Sequence, residues 1–475
     1  MDQKYKRLFS DTLLFALSNF GSKFLIFLLV PLYTHVLTTA EYGTADIVTT
    51  TVNLLIPILT LSICEATLRF ALDKRNEPQK VLSNSLILTG FAIVVVLAVT
   101  PIIRLVSEEI FDYWWCFVAV FSTGALQTVF ANYLKGRELT KLYAVQGCIY
   151  TIVLIACNIL FLLVFQIRLY GYLISIAIAN LFCCLFMCVA GKLFRDLKNI
   201  KADKILLHKM ISYSMPMTLS SVAWWINSSA DKYMLIGIVG IGASGLYAVA
   251  HKIPTIFSTF TGLFSQAWRI SAISNYEDSE KDEYYSIMYR FYTLVCMYVC
   301  LAITLSSQLI AAILFSSDFY DAWCLVSPLL LAAVFEAFAG FLASIYAAIN
   351  KTKILAISTC VGALFNIALN AVFIYLLGML GAPIATFLSF IVVCVIRTVI
   401  LEKYVHFKIN YLRLIISLIV LIVANLIFAF DFPYKYIWYV ISALLIFAIN
   451  AKDTQFLFHK LLSILSNIKM KRKSI

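Results

Sequence analysis

The residues of this chain able to do chemistry are the polar ones that interrupt its long apolar runs. Lys23 stands deep in the run 11–36, with Asn19 one turn before it on the same helical face. At about 1.5 Å per residue it would lie roughly 18 Å along a helix, near the middle of a bilayer. An ionisable group there costs about 2.5–3.5 kcal/mol on insertion scales, so it faces either a hydrated cavity or a structural partner. No acid of its own run is placed to pair with it. Glu336 lies midway along a later run, flanked by Phe335 and Phe338. Its carboxylate is either a proton or cation site or a structural partner. Asp231 and Lys252 sit at similar depth on two runs joined by a short loop. They either pair across that hairpin or face a common cavity. Lys232 and His251 lie beside them, and Asn227 is one turn before Asp231. Trp224 and Trp225 share a run with Ser220, Ser221 and Ser228. That face suits water or a sugar ring; aromatic packing is the simpler alternative.

Groups of this kind need membrane-spanning elements to hold them, and the composition supplies these. The chain has 475 residues, 62% hydrophobic and 13% charged, with a mean hydropathy of +0.92. Soluble domains are roughly half apolar and about a quarter charged. A soluble enzyme, a disordered chain and a nucleic-acid-binding domain are thereby excluded. About 20 apolar residues cross a bilayer. Fourteen candidate helices follow, at 11–36, 44–66, 81–106, 114–134, 143–165, 169–190, 212–236, 245–269, 287–315, 323–349, 354–377, 380–401, 411–430 and 434–450. The last two are short and could form a loosely attached hairpin. The expected fold is an all-α polytopic membrane protein.

The 37 Lys and Arg residues set the orientation. With the N-terminus in the cytoplasm, the outer loops hold only Arg104, Arg168 and Lys435. Lys23, Lys232 and Lys252 fall inside helices, and the remaining basic residues lie on the cytoplasmic side. Both termini are then cytoplasmic, in a cell inner (cytoplasmic) membrane. The net charge of +12 reads as topology rather than as a nucleic-acid partner. The Lys-rich stretch Gly191–Ile211 and the basic tail either rest on anionic lipid or enforce topology. The outer loops are too short for a catalytic domain, and no P-loop is present. Most of the 12 cysteines lie in apolar runs without metal-ligand spacing, so no metal or cofactor is expected. Cys184 and Cys188, one turn apart, read as small buried apolar residues.

An internal repeat organises the helices. Val36-Leu-Thr-Thr-Ala-Glu-Tyr-Gly43 links helices 1 and 2, and Ile238-Val-Gly-Ile-Gly-Ala-Ser-Gly245 links helices 7 and 8. Six helices per half make the repeats parallel, an arrangement of transporters with a midplane site between lobes. The expected division is an N-terminal lobe at 1–200, a C-terminal lobe at 201–405, and a helix pair with a basic tail at 406–475.

The motif order also carries a resemblance. Pro31-Leu-Tyr-Thr-His-Val-Leu-Thr-Thr-Ala-Glu-Tyr-Gly43 is similar to the loop after helix 1 in bacterial oligosaccharide flippases. Tyr213-Ser-Met-Pro216, Asp231-Lys-Tyr233 and Gly245-Leu-Tyr247-Ala-Val-Ala-His-Lys252-Ile resemble that family's helix 7 and helix 8 pattern. Asn366, Asn370 and Gly378-x-x-Gly381-Ala resemble its helix 11 ending. Over almost its whole length the chain resembles a Wzx-type polysaccharide flippase of the multidrug/oligosaccharidyl-lipid/polysaccharide exporter superfamily. The resemblance implies two lobes and alternating access. It implies carriage of an undecaprenyl-pyrophosphate-linked oligosaccharide, such as an O-antigen unit, from the cytoplasmic to the outer leaflet. Lys23, Lys232 and Lys252 are the cations it offers to the pyrophosphate. Asn19, Trp224, Asn227 and Asp231 are the other cavity candidates, and Glu336 and Asp231 the candidates for coupling to H+ or Na+. The expected partners are the lipid-linked substrate, membrane lipid, a polysaccharide polymerase and glycosyltransferases. An ion-coupled multidrug efflux transporter of the same superfamily is the alternative reading, and no enzyme activity is expected.

Overall fold

The computed structural model describes residues 25–73, 75–106, 108–197, 202–274, 281–349, 351–407 and 410–455. Asn19 and Lys23 lie outside them. All regular elements among the described residues are helical. They run α1 (Val30–Val36), α2 (Thr39–Leu59), α3 (Ile63–Leu72), α4 (Pro78–Ala98), α5 (Thr100–Val106), α6 (Glu108–Gly136), α7 (Thr140–Asn158), α8 (Arg168–Ala190) and α9 (Leu193–Leu197). They continue as α10 (Lys204–Ile238), α11 (Ile241–Ala250), α12 (Lys252–Ser274), α13 (Lys281–Leu314), α14 (Trp323–Ala348), α15 (Thr352–Leu377), α16 (Gly381–Leu401), α17 (Tyr411–Ala429) and α18 (Lys435–Ile449). Nine helical stretches among the described residues are long and apolar enough to cross a membrane, and one, Lys353–Leu401, joins α15 to α16. The all-α polytopic architecture stands. Helices α10 and α12 are 35 and 23 residues long, yet are too polar to count among the nine.

Several boundaries differ from the hydropathy pattern for identifiable reasons. Helix α10 begins at Lys204, eight residues before the apolar run, because Asp203 caps it: its carboxylate accepts from the Leu206 amide at 3.0 Å. Asn84 of α4 fixes that cap by bonding the Asp203 backbone at 3.0 and 3.1 Å. Leu206 and Met210, one turn apart, then bury into a core with Leu82, Tyr133 and Met187. The run 44–66 is broken: Leu61 and Ser62 take left-handed backbone, and the Ser62 amide closes back on the Pro57 carbonyl at 2.8 Å. The run 245–269 is broken at His251. Pro254 has no amide to offer the Ala250 carbonyl, and its ring crowds that oxygen.

The chain forms two compact units, Met1–Ile236 with Gly240–Ala248, and Gly237–Val239 with Val249–Ile475. The first includes α10, which runs antiparallel along α2 and α3. Tyr213 meets Phe70 with ring centroids 5.9 Å apart, and Thr218 donates to Ser62 Oγ at 3.1 Å. The two glycines of the sequence repeat meet in this unit. A Cβ on Gly43 would fall on the Ile241 carbonyl and lie 3.1 Å from the Gly245 nitrogen; a Cβ on Gly245 would fall on the Thr39 carbonyl. Only glycine at both positions lets α2 and α11 come this close.

In the second unit α17 and α18 are anchored rather than loose. Buried Asn425 accepts from Thr304 at 2.8 Å and from Ser327 at 2.9 Å, so one amide ties α17 to α13 and α14. Tyr439 donates to the Leu301 carbonyl at 3.2 Å. Lys435 pairs with Asp431 at 2.6 Å and lies 4.1 Å from the centre of the Trp323 ring.

Candidate functional site

The polar contacts of the first unit concentrate where α2, α10 and α11 converge. Helix α2 opens with a capping box: Thr38 Oγ1 accepts from the Glu41 amide at 3.2 Å, and Glu41 Oε2 accepts from the Thr38 amide at 2.8 Å. Arg168, at the head of α8, pairs with the same Glu41 oxygen at 2.8 Å and secures that end. Further along α2 comes Asp46 and, one helical turn on, the adjacent Thr50 and Thr51, all three in contact with α10. Lys232 Nζ lies 2.8 Å from Asp46 Oδ2 and 3.5 Å from Thr50 Oγ1. Trp225 Nε1 donates to the Thr50 carbonyl at 3.0 Å, and the Tyr233 and Thr51 hydroxyls are 2.6 Å apart. The Trp225 and Tyr233 rings pack at 5.3 Å between centroids.

Asp231 is buried beside this ladder. Tyr247 of α11 donates its hydroxyl to one carboxylate oxygen, and the Lys232 amide donates to the other at 2.9 Å. The Lys232 and Asp46 side chains keep 16% and 15% of their surface exposed. Such a pair is shielded enough to be strong, yet open enough to exchange partners with an incoming anion. The described cluster thus holds one ammonium against two carboxylates, with hydroxyl and indole donors around them.

The sequence-derived residues fall in both units. Asp231 and Lys232 join in the cluster just described. Trp224 and Asn227 lie on α10, and their side chains are outside the described ones. Lys252 opens α12 in the second unit. Glu336 is also there, on α14, and is the one exposed residue among the described positions Trp323–Ala348. Gly340, Ala343 and Ala347, one, two and three turns beyond it, are partly exposed. A carboxylate on a span is tolerated where it meets water or a cation.

Two charged residues escaped the sequence reading. Asp46 stands near the start of a predicted helix, where an acid is unremarkable; its spacing of four from Thr50 is the available signal. Arg397 was counted with the cytoplasmic loop after helix 12. It lies within α16 and is buried. Its guanidinium donates to the Ala339 carbonyl at 2.7 Å and to Ser358 Oγ and Thr359 Oγ1 at 3.0 Å, joining α14, α15 and α16.

Solved structures share this architecture. The lipid II flippase MurJ in an inward closed conformation is similar over 95% of this chain and 100% of its own, with 16% identity and a TM-score of 0.71. An inward-facing multidrug resistance MATE family transporter of the MOP superfamily covers 82% of this chain and 95% of its own, at 14% identity and a TM-score of 0.66. A MOP superfamily transporter from Pyrococcus furiosus, noted for the reverse polarity of its binding pocket, covers 82% and 93%, at 15% identity and a TM-score of 0.58. A search of curated proteins gave no match. Helical architecture and these likenesses define an all-α polytopic membrane protein with the MOP superfamily fold. A family model described as polysaccharide biosynthesis protein matches residues 8–269, more than half the sequence, and the chain belongs to that family.

Proposed function

We propose that this protein is a flippase that moves an undecaprenyl-pyrophosphate-linked oligosaccharide from the cytoplasmic to the outer leaflet by alternating access, for cell-surface polysaccharide synthesis. The observation that carries the reading is the mostly buried but still reachable Lys232–Asp46 pair, its lysine on a polar helix, in a polysaccharide biosynthesis family member. A pyrophosphate crossing a low-dielectric core needs fixed cations in place of its water. Lys232 is the cation able to change partner: the pyrophosphate and Asp46 compete for it. By the motif resemblance, Lys23 and Lys252 are the further cations offered to the pyrophosphate, and Asn19, Trp224 and Asn227 the groups offered to the sugar. Glu336 and Asp231 carry the H+ or Na+ whose gradient makes the cycle directional. No bond in the substrate is made or broken. Both termini lie in the cytoplasm, where glycosyltransferases make the substrate, and a polymerase consumes it outside.

The ion-coupled multidrug exporter remains a second reading, because the described cluster has more carboxylates than cations. One assay separates the two. Full-length protein is reconstituted in liposomes, and movement of a labelled prenyl-pyrophosphate sugar is measured beside that of a cationic dye. The flippase reading expects sugar-lipid movement that Lys232→Ala reduces about ten- to a hundredfold, the worth of one charge-assisted contact. Dye movement without sugar-lipid movement would overturn it.

A further inference from the structure

A second charged recess lies apart from the transport residues, where α13, α17 and α18 come together. Arg290 of α13 and Arg413 in the first turn of α17 both reach the single carboxylate of Asp453, just beyond α18, at 3.4 and 3.3 Å. A fully formed guanidinium–carboxylate bond is about 2.7–2.9 Å. Both contacts are longer, so one negative charge is divided between two cations. The three side chains border a cavity of about 50 Å³, several times the roughly 10–15 Å³ that admits one water. Arg290 Nε is buried there without a hydrogen-bond partner. Asn410, also on the cavity wall, caps α17 by accepting from the Arg413 amide at 3.1 Å, which turns the positive end of that helix toward the recess.

We propose that this recess is a binding site for a phosphate group, supplied by the headgroup of an anionic membrane lipid or by free phosphate. Two planar guanidiniums converging on one recess match the oxygens of a phosphate. The phosphate would supply the missing negative charge at the outer nitrogens of the two guanidiniums. Asp453 takes part of that role in this structure. The ligand would bridge the start of α17 to α13 and the end of α18, and so stiffen the C-terminal hairpin. The site stands whatever substrate the protein carries, since it uses none of the residues assigned to transport.

The test uses purified full-length protein in neutral detergent. Melting temperature and bound lipid, the latter by native mass spectrometry, are followed on adding phosphatidylglycerol, phosphatidylcholine or inorganic phosphate. The expected result is stabilisation and retained adducts with phosphatidylglycerol and none with phosphatidylcholine. Arg413→Gln and Arg290→Gln should each weaken binding about tenfold. Stabilisation by inorganic phosphate to the same extent would assign the site to free phosphate; stabilisation by the lipid alone assigns it to a headgroup. Asp453→Asn is the decisive variant and serves alone should the arginine variants fail to fold. It removes the competing carboxylate, so phosphatidylglycerol or phosphate should bind more tightly and restore any lost melting temperature. A clamp with only a structural role predicts the reverse: Asp453→Asn melts lower by the same amount in every additive, and that result would overturn the proposal.

Discussion

Lys232 and Arg397 are both cations within long helices, and they are satisfied in opposite ways. Lys232 meets a carboxylate and keeps part of its surface open. Arg397 is buried and spreads its guanidinium over three neutral oxygens on two neighbouring helices. The first arrangement is a single contact that a competing anion can replace. The second is a fork whose geometry only arginine reproduces, and releasing it would orphan acceptors on two neighbouring helices. A charge inside the protein can therefore meet a bulky substrate only where it stays reachable. The same test separates Glu336, exposed on an otherwise buried helix, from Lys435, enclosed by Asp431 and the Trp323 ring.

Arg397 gives the largest expected effect on stability. Arg397→Leu should lose about 3 kcal/mol, because three hydrogen bonds to a charged donor disappear inside the protein. Arg397→Lys should recover little, since an ammonium cannot span the same fork. Thermal melts in detergent would check both, and transport per folded molecule should be unchanged. Wild-type melting in Arg397→Leu would mean that the fork does not hold the three helices together.

Lys232 and Asp46 should behave differently under the same treatment. Each single alanine variant leaves a mostly buried charge without its partner and should cost about 1–2 kcal/mol. The double variant should cost less than the sum of the two. Transport should not recover in the double variant, because the cation is still missing. Recovery of both stability and sugar-lipid movement would reduce this pair to a structural role and erase the contrast with Arg397.

The contrast also shows what the sequence could convey. Hydropathy runs alone specify a polytopic helical protein, and the spacing of Gly43 and Gly245 marks two equivalent positions. That these glycines touch each other is a fact of packing that no local pattern encodes. The break after Leu59 was equally hidden, since Leu61 and Ser62 adopt a left-handed backbone that neither residue type favours. Asp231 and Lys232 stood out as charges inside a run. Asp46 did not, because an acid near a helix start looks like an ordinary cap. Arg397 was missed for the matching reason at the other end of a helix. A sequence shows which charges are buried far more clearly than which partners they have.

Glu336 should have a smaller effect on stability than either cation, because its carboxylate lies on the exposed side of α14. Glu336→Gln should melt like the parent and still retain sugar-lipid. Its transport should lose its dependence on an imposed proton or sodium gradient. Retained gradient dependence would remove Glu336 from coupling and leave Asp231 as the remaining candidate.

The smallest expected effect comes from an ion pair in water, Arg75 with Asp73, in the loop between α3 and α4. Arg75 Nη2 lies 2.7 Å from Asp73 Oδ2, a shorter contact than that of Lys232 with Asp46. Hydrogen bonds and charge from Arg75 hold the Asp73 carboxyl at about 2, below the usual carboxylate range. A depressed folded value means the pair contributes above the unfolded value near 4 and is lost as pH falls toward about 2. Between pH 5 and 8 its contribution should be constant. The Arg75 side chain is almost fully exposed, so solvent and salt screen the attraction. Arg75→Ala should therefore leave both melting temperature and transport at pH 7 indistinguishable from the parent. A loss as large as that of Lys232→Ala would show that distance, rather than burial and reachability, governs these pairs.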